Sequence, residues 1–236
     1  MKRSAYLLLL TMLMLFMTFF YVGCTKPPST DPLPPNHNNQ TADNNQAGKD
    51  NERTGDLKPG DFFPLTNGSF WDYLGEGMEY ATFNRQVIYA DNNLAQVRED
   101  NGGTVSASVY QVTSEAVTRV FFQGEAYEDS NFLGADPNDN TIIIKAPLEV
   151  GNKWGIRDGT REIIALNADI DTPAGNFKDC LGIKISYSSG SVSYEYFKAG
   201  IGMVKREFKS NGETVTSSLE DYKVNNLNQS NKRDNP

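Results

Sequence analysis

The sequence predicts an all-β, mainly antiparallel domain, built as a curved meander sheet that forms a half-barrel or a closed barrel. Three observations lead there. Segments rich in Val, Ile, Thr, Tyr and Phe recur through residues 57–224, with clusters of Gly, Asn, Asp and Ser between them. Apolar residues alternate with a period of two in Ile183, Ile185 and Tyr187, and in Val192, Tyr194 and Tyr196, so each set is expected on one face of a sheet. No stretch sustains a 3.6-residue apolar period, and the short connections favour antiparallel neighbours over crossover helices.

The chain opens with a cationic start, Lys2 and Arg3, followed by an apolar run and small residues before Cys24. Residues 1–23 therefore have the three parts of a secretory signal peptide. Tyr21-Val22-Gly23-Cys24 resembles the bacterial lipobox, with Tyr21 where an aliphatic residue is usual. The resemblance implies cleavage between Gly23 and Cys24 and a lipid on the Cys24 thiol. The competing reading is an uncleaved apolar anchor, barely long enough for a hydrocarbon core of about 30 Å. Both readings put the remainder on the extracytoplasmic side of a membrane, because Lys2 and Arg3 stay inside. Residues 24–56 turn abruptly to Pro, Asn, Gln, Thr and Asp. Such a composition buries too little to offset ordering entropy, so a disordered tether is expected, with a reach on the order of 30 Å. The Asn-rich residues 225–236 are expected to be a disordered tail.

Within 57–224 the strand signal falls on Met78 to Tyr89, Thr104 to Thr113, Ala116 to Gln123, Thr141 to Ala146, Arg161 to Ile170, Leu181 to Tyr187, Ser191 to Lys198, Gly202 to Lys209 and Glu213 to Tyr222. Turn residues such as Asp91-Asn92-Asn93 and Asn211-Gly212 separate them. A repeat runs through the series. Pro64-Leu65-x-x-Gly68-x-x-Trp71 recurs, displaced by 83 residues, as Pro147-Leu148-x-x-Gly151-x-x-Trp154, within 64–75 and 147–158. Proline fixes the backbone, glycine permits a positive φ, and tryptophan starts a strand with a large apolar surface. The repeat fits two related halves, or one local motif used twice.

Phe63-Pro64-Leu65-x-x-Gly68-x-x-Trp71-x-Tyr73, Thr172-Pro173-Ala174-Gly175-x-Phe177 and Tyr196-x-x-x-Gly200-Ile201-Gly202-Met203-Val204-Lys205 resemble, in this order, motifs of uncharacterised bacterial lipoproteins, roughly PLxxGxxWxY, TPAGxF and GxGLVK. The resemblance implies an antiparallel half-barrel shaped like periplasmic lipoprotein carriers. It brings no catalytic residue. Taken by itself, Gly200-x-Gly202 lacks the further glycine and the helix of a dinucleotide site and is expected to turn into a strand.

Residues 57–224 carry 15 Lys+Arg against 24 Asp+Glu, a net charge of −9. That balance argues against a nucleic-acid partner. The only histidine, His37, lies in the tether, so histidine-based nucleophilic catalysis and histidine-ligated zinc are not expected. Cys180 has no partner once Cys24 is acylated and is expected to be a buried structural thiol. Two carboxylate groups merit weighing. Glu125, Glu128 and Asp129 are candidates for a glycosidase pair, and solvated loop charges are the plainer reading. Asp136 to Asn140 spaces oxygen ligands as calcium loops do, yet Thr141 and Pro147 stand where a calcium loop needs glycine and glutamate, so a polar turn is expected.

The resulting expectation is a lipid-anchored extracytoplasmic lipoprotein with a monomeric domain. It acts as a non-catalytic binding or assembly module at the cell envelope, needs no cofactor or metal, and meets the membrane through Cys24 and an envelope protein or glycan through its domain. The alternatives are a carrier or sensor of an apolar ligand, whose cavity aromatic residues such as Phe62, Phe121 and Phe122 would line, and a carboxylate-dependent glycoside hydrolase.

Overall fold

The computed structural model describes residues 57–225; the expected signal peptide with Gly23, the whole tether with Cys24, and residues 226–236 lie outside them. The fold is all-β, as the sequence predicts. Twelve antiparallel strands follow in order: β1 (Phe70–Glu76), β2 (Phe83–Asp91), β3 (Leu94–Asp100), β4 (Val105–Val112), β5 (Ala116–Gly124), β6 (Thr141–Lys145), β7 (Lys153–Ile156), β8 (Gly159–Thr172), β9 (Gly175–Tyr187), β10 (Val192–Lys198), β11 (Gly202–Ser210) and β12 (Glu213–Lys223). Among the described residues no helix is long and apolar enough to cross a membrane.

Turn chemistry sets the hairpins. Asn211 and Gly212 take φ of +51° and +83° between Ser210 and Glu213, which pair across β11 and β12. Two positive-φ residues between paired strands match the strands' right-handed twist, which is why Asn-Gly is favoured there.

Each strand pairs with the next, except across one gap. The order is β6-β5-β4-β3-β2-β1-β12-β11-β10-β9-β8-β7, so the first and last strands are joined and the free edges are the consecutive β6 and β7. The sheet thus curls nearly into a barrel with a single seam. At the seam side chains replace a ladder: the Trp154 indole N–H donates to the Ile142 carbonyl at 3.0 Å, and the Asn152 amide donates to Lys145 at 3.0 Å and Pro147 at 2.7 Å.

Both copies of the repeated motif make the same turn. Gly68 N–H bonds Val87 O while Val87 N–H bonds Ser69 O; Gly151 N–H bonds Ile163 O while Ile163 N–H bonds Asn152 O. Ser69 N–H reaches Thr66 O, and Asn152 N–H reaches Glu149 O, 83 residues on in both atoms. Gly68 and Gly151 have φ of +78° and +91°, a region that side chains bearing a Cβ disfavour. Each tryptophan then starts a strand and buries its ring, Trp71 donating to the Ile201 carbonyl at 2.6 Å. Gly200 and Gly202 flank that acceptor, and Pro64 packs near Gly202. Leu65 and Leu148 pack at the edge of the core.

The inward face is apolar at its ends. The short 3-10 turn Pro59–Phe62 carries Phe62 and Phe63 into the barrel, and Phe63 packs 4.9 Å from the Tyr110 ring and 6.2 Å from Phe197. Tyr73 stacks on Phe83 at 4.4 Å and donates its hydroxyl proton to Met203 O at 2.8 Å. Cys180 is fully buried within β9, and burial pushes its thiol up to about 11, so it stays protonated and structural.

The structure also corrects several expectations. Residues Met78 to Tyr89 are not one strand, because the turn Glu79–Ala81 precedes β2. The strand β3 carries Arg98, Glu99 and Asp100, a charged stretch without the expected β-rich composition. In β10, Val192, Tyr194 and Tyr196 share one face as expected, and the opposite phase, Ser193, Glu195 and Phe197, is the inward one. The tyrosines lie on the outer face, where Lys209 sits 5.1 Å over the Tyr194 ring. Asn225, the first residue of the expected tail, is tied down by bonds to Ser69 and Asn67.

We expect Trp154→Ala to cost about 3–5 kcal/mol in urea unfolding and Trp154→Phe about 1 kcal/mol, the latter losing the seam bond and little packing. A loss well under 1 kcal/mol for the alanine variant would mean that the seam closes without this ring.

Candidate functional site

Alternation along the strands sends a second, charged set of side chains inward. Arg85 lies between the inward Phe83 and Val87, and the ladder pairs it with Glu99 on β3. The guanidinium donates to the Glu99 carboxylate through Nη2 at 2.6 Å and Nε at 3.1 Å. On the other side of the barrel Arg161 of β8 pairs with Glu195 of β10, reaching over β9. Their side chains are 5% and 14% exposed, so this is a buried ion pair. The two arginines hold corresponding places: Arg85 is the ladder partner of Trp71, and Arg161 of Trp154.

These groups surround an internal cavity of about 290 Å³. Phe63 forms part of its wall, and the exposed residues Phe122, Arg157 and Asp158 mark its mouth. Five of the domain's six arginines line it, Arg85, Arg119, Arg157, Arg161 and Arg206, and none of its nine lysines does. Arginine is the more weakly hydrated cation and presents a rigid fork of donors, which suits it to partly desolvated sites. Ser106, Ser108, Tyr110 and Tyr187 add hydroxyl groups to the lining. A larger cleft, about 910 Å³, opens beside the Pro59–Phe62 turn, but it is lined mainly by turn backbone and exposed side chains. The interior cavity is the better site because its polar groups are buried and converge.

Electrostatics hold the interior carboxylate ionised. Burial works against the charge of Glu99, but Arg85 and then Arg206 outweigh it, and its carboxyl titrates below the usual range. The Arg85 guanidinium is likewise held protonated: burial opposes its charge and Glu99 overcomes that. Arg119 is fixed from behind by Asp139, at 2.7 Å, and lies 4.9 Å from the Phe122 ring.

Two groups remain unsatisfied. Arg161 is 4% exposed, and its Nε–H has no hydrogen-bond partner. Arg206 is opposite Glu195 in the β10–β11 ladder, yet that carboxylate bonds Arg161. Among the described residues the Arg206 side chain makes no ion pair or hydrogen bond, and its guanidinium rests 4.8 Å over the Phe83 ring.

Of the residues singled out in the sequence, Phe63 and Phe122 line the cavity, and the repeated motif and the carboxylate candidates sit elsewhere. Pro64, Leu65, Gly68, Trp71, Gly200 and Gly202 gather around the Trp71 turn, and Pro147, Leu148, Gly151 and Trp154 at the seam, as scaffold. Glu125, Glu128 and Asp129 belong to the loop over the outer face, where Tyr89 donates to Asp129 O and Gln96 to Ser130 O. Asp139 spends its carboxylate on Arg119 and Thr141, and among the described residues no cluster of metal-ligating side chains occurs. The charged interior was missed because its signal is a charge in phase with apolar neighbours, as in Phe83-x-Arg85-x-Val87 and Val97-x-Glu99, which looks like an imperfect strand.

The sign of the pH dependence follows from Glu99. A carboxyl whose folded pKa is depressed stabilises the fold above its unfolded value, about 4.3, and that contribution is lost as pH falls through the folded value. We expect acid unfolding of Glu99→Gln to show a shallower pH dependence below about 4.3 than the parent. An identical pH profile would mean that Glu99 titrates normally. Glu195→Ala, which strands Arg161, should cost about 3–5 kcal/mol in denaturant unfolding.

No family model matches the chain, and no curated protein matches it either. Two crystal structures are similar: a candidate lipoprotein from Parabacteroides distasonis, at 16% identity over 69% of this chain and 98% of that one with a TM-score of 0.40, and a candidate exported protein with a YmcC-like fold from Bacteroides fragilis, at 17% identity over the same shares with a TM-score of 0.38.

Proposed function

We propose that this chain is a lipid-anchored extracytoplasmic binding module, non-catalytic, whose ligand site is the interior of the barrel. The observation that carries the reading is the polar cavity of about 290 Å³ lined by the buried Arg161–Glu195 pair and the partly buried Arg85–Glu99 pair. Buried ion pairs are a poor route to stability, since well-packed apolar side chains of similar volume usually do as well or better. Their presence around a cavity is better explained by recognition of a polar ligand. The anchoring half of the reading rests on Lys2, Arg3, the apolar run and the Gly23-Cys24 junction.

The same lining weighs against the two alternatives. An apolar ligand would leave the Arg206 guanidinium, which lines the cavity, without a partner. A glycosidase needs one carboxyl held protonated, whereas Glu99 is held ionised and Glu195 is bonded to Arg161.

Native mass spectrometry of the full-length protein purified from its own host tests the ligand. The expected result is one co-purifying molecule per chain, polar and small enough for the cavity; a long-chain lipid in its place would support the apolar carrier. Cys24→Ser should abolish incorporation of labelled fatty acid and either release the protein from the detergent phase or leave its apolar leader uncleaved. Unchanged detergent partitioning of a cleaved Cys24→Ser product would refute the lipid anchor.

A further inference from the structure

We propose that the cavity takes a small organic monocarboxylate, with its carboxylate held by the guanidinium of Arg206. This rests on the interior being the binding site and narrows what it binds. Charge balance gives the valence. Five arginines and three carboxylates, Glu99, Asp158 and Glu195, line the cavity, and Asp139, bonded to Arg119 from behind, adds a fourth negative charge. One positive charge is left over. It is located, because Arg85, Arg119 and Arg161 each have a carboxylate partner, Arg157 and Asp158 are both at the open mouth, and Arg206 has none among the described residues.

An uncompensated cation facing a partly desolvated space is costly unless an anion meets it. Guanidinium donors match the two oxygens of a carboxylate. A phosphate monoester carries about −1.5 to −2 at neutral pH and would overshoot the single excess charge. The remaining wall includes Phe122, Ile143, Ile156 and Ile185, an apolar surface for the ligand's body. An engineered cavity of about 150 Å³ holds benzene, so 290 Å³ has room for a ring and a carboxylate.

The test uses full-length protein in detergent micelles and three probes of one shape: 4-fluorobenzoate, 4-fluorobenzamide and 4-fluorophenyl phosphate, followed by fluorine NMR. The benzoate should bind saturably at one site per chain, at least tenfold more tightly than the neutral amide and than the phosphate. Arg206→Gln should weaken benzoate at least tenfold, and Arg206→Lys should recover part of the loss. Should the glutamine variant fail to fold, the comparison of acid, amide and phosphate on the parent still decides. Equal binding of acid and amide overturns the carboxylate inference and leaves an interior site standing. Tighter binding of the phosphate overturns the single-charge argument. No binding of any probe overturns the inference; if nothing co-purifies either, the interior site falls with it.

Discussion

The pairing of β1 with β12 is the constraint on which everything else depends. Ten of the twelve strands have two neighbours because the two ends of the meander meet. The side-chain bonds that reinforce the closure, Trp71 to Ile201 and Tyr73 to Met203, join residues 130 positions apart. Contacts of such separation form only after a large loop-closure entropy has been met, so the closed sheet arises late and as a whole. Closure also creates an inside. In an open sheet, Arg85, Glu99, Glu195 and Arg206 would face water like any solvated charge; once β1 and β12 pair, the same alternation turns them toward one another.

Two copies of one turn then meet different neighbours. The Gly68 and Gly151 turns share their backbone bonds, and each delivers a tryptophan opposite an inward arginine. Trp71 starts a strand that finds β12, whereas Trp154 starts a strand of four residues facing a strand of five, β6. Elements that short make few ladder bonds, and short edges are one way a sheet avoids pairing with other chains. The seam is closed instead by the Trp154 indole and the Asn152 amide. Asn152 occupies the place of Ser69 in the other copy, and its longer amide reaches across the gap where the serine has no gap to span.

The amount of this that was legible in the sequence differs by element. Ile183, Ile185 and Tyr187 gave β9 correctly because the inward face there is apolar throughout. In the neighbouring β10 the alternation also held, but it could not say which face is inward, because the tyrosines are on the outside and the inward phase holds Ser193 and Glu195. The outer face is itself covered in places. Gln96 is buried because its amide bonds Ser130 O and its carbonyl oxygen takes the Phe132 N–H, which makes β3 look nearly two-sided in burial. The lining of the cavity could not be found from spacing. Arg85 follows Trp71 by 14 residues and Arg161 follows Trp154 by 7, and only the hairpin registers make them equivalent.

Charge is segregated between surface and interior, and the contrast decides how the cavity can select. The domain carries net charge −9, while its arginines are concentrated inside and its lysines outside. An acidic exterior repels anions at long range, so little of an anion's affinity can come from steering, and a salt-screened surface field would change it little. Selection must then come from short contacts inside, where low dielectric strengthens a guanidinium–oxygen bond and the fixed carboxylates Glu99 and Glu195 turn away a second negative charge. Glu195 is central to both effects. By bonding Arg161 across β9 and not Arg206 beside it in the ladder, it leaves one cation, on β11, open to the cavity.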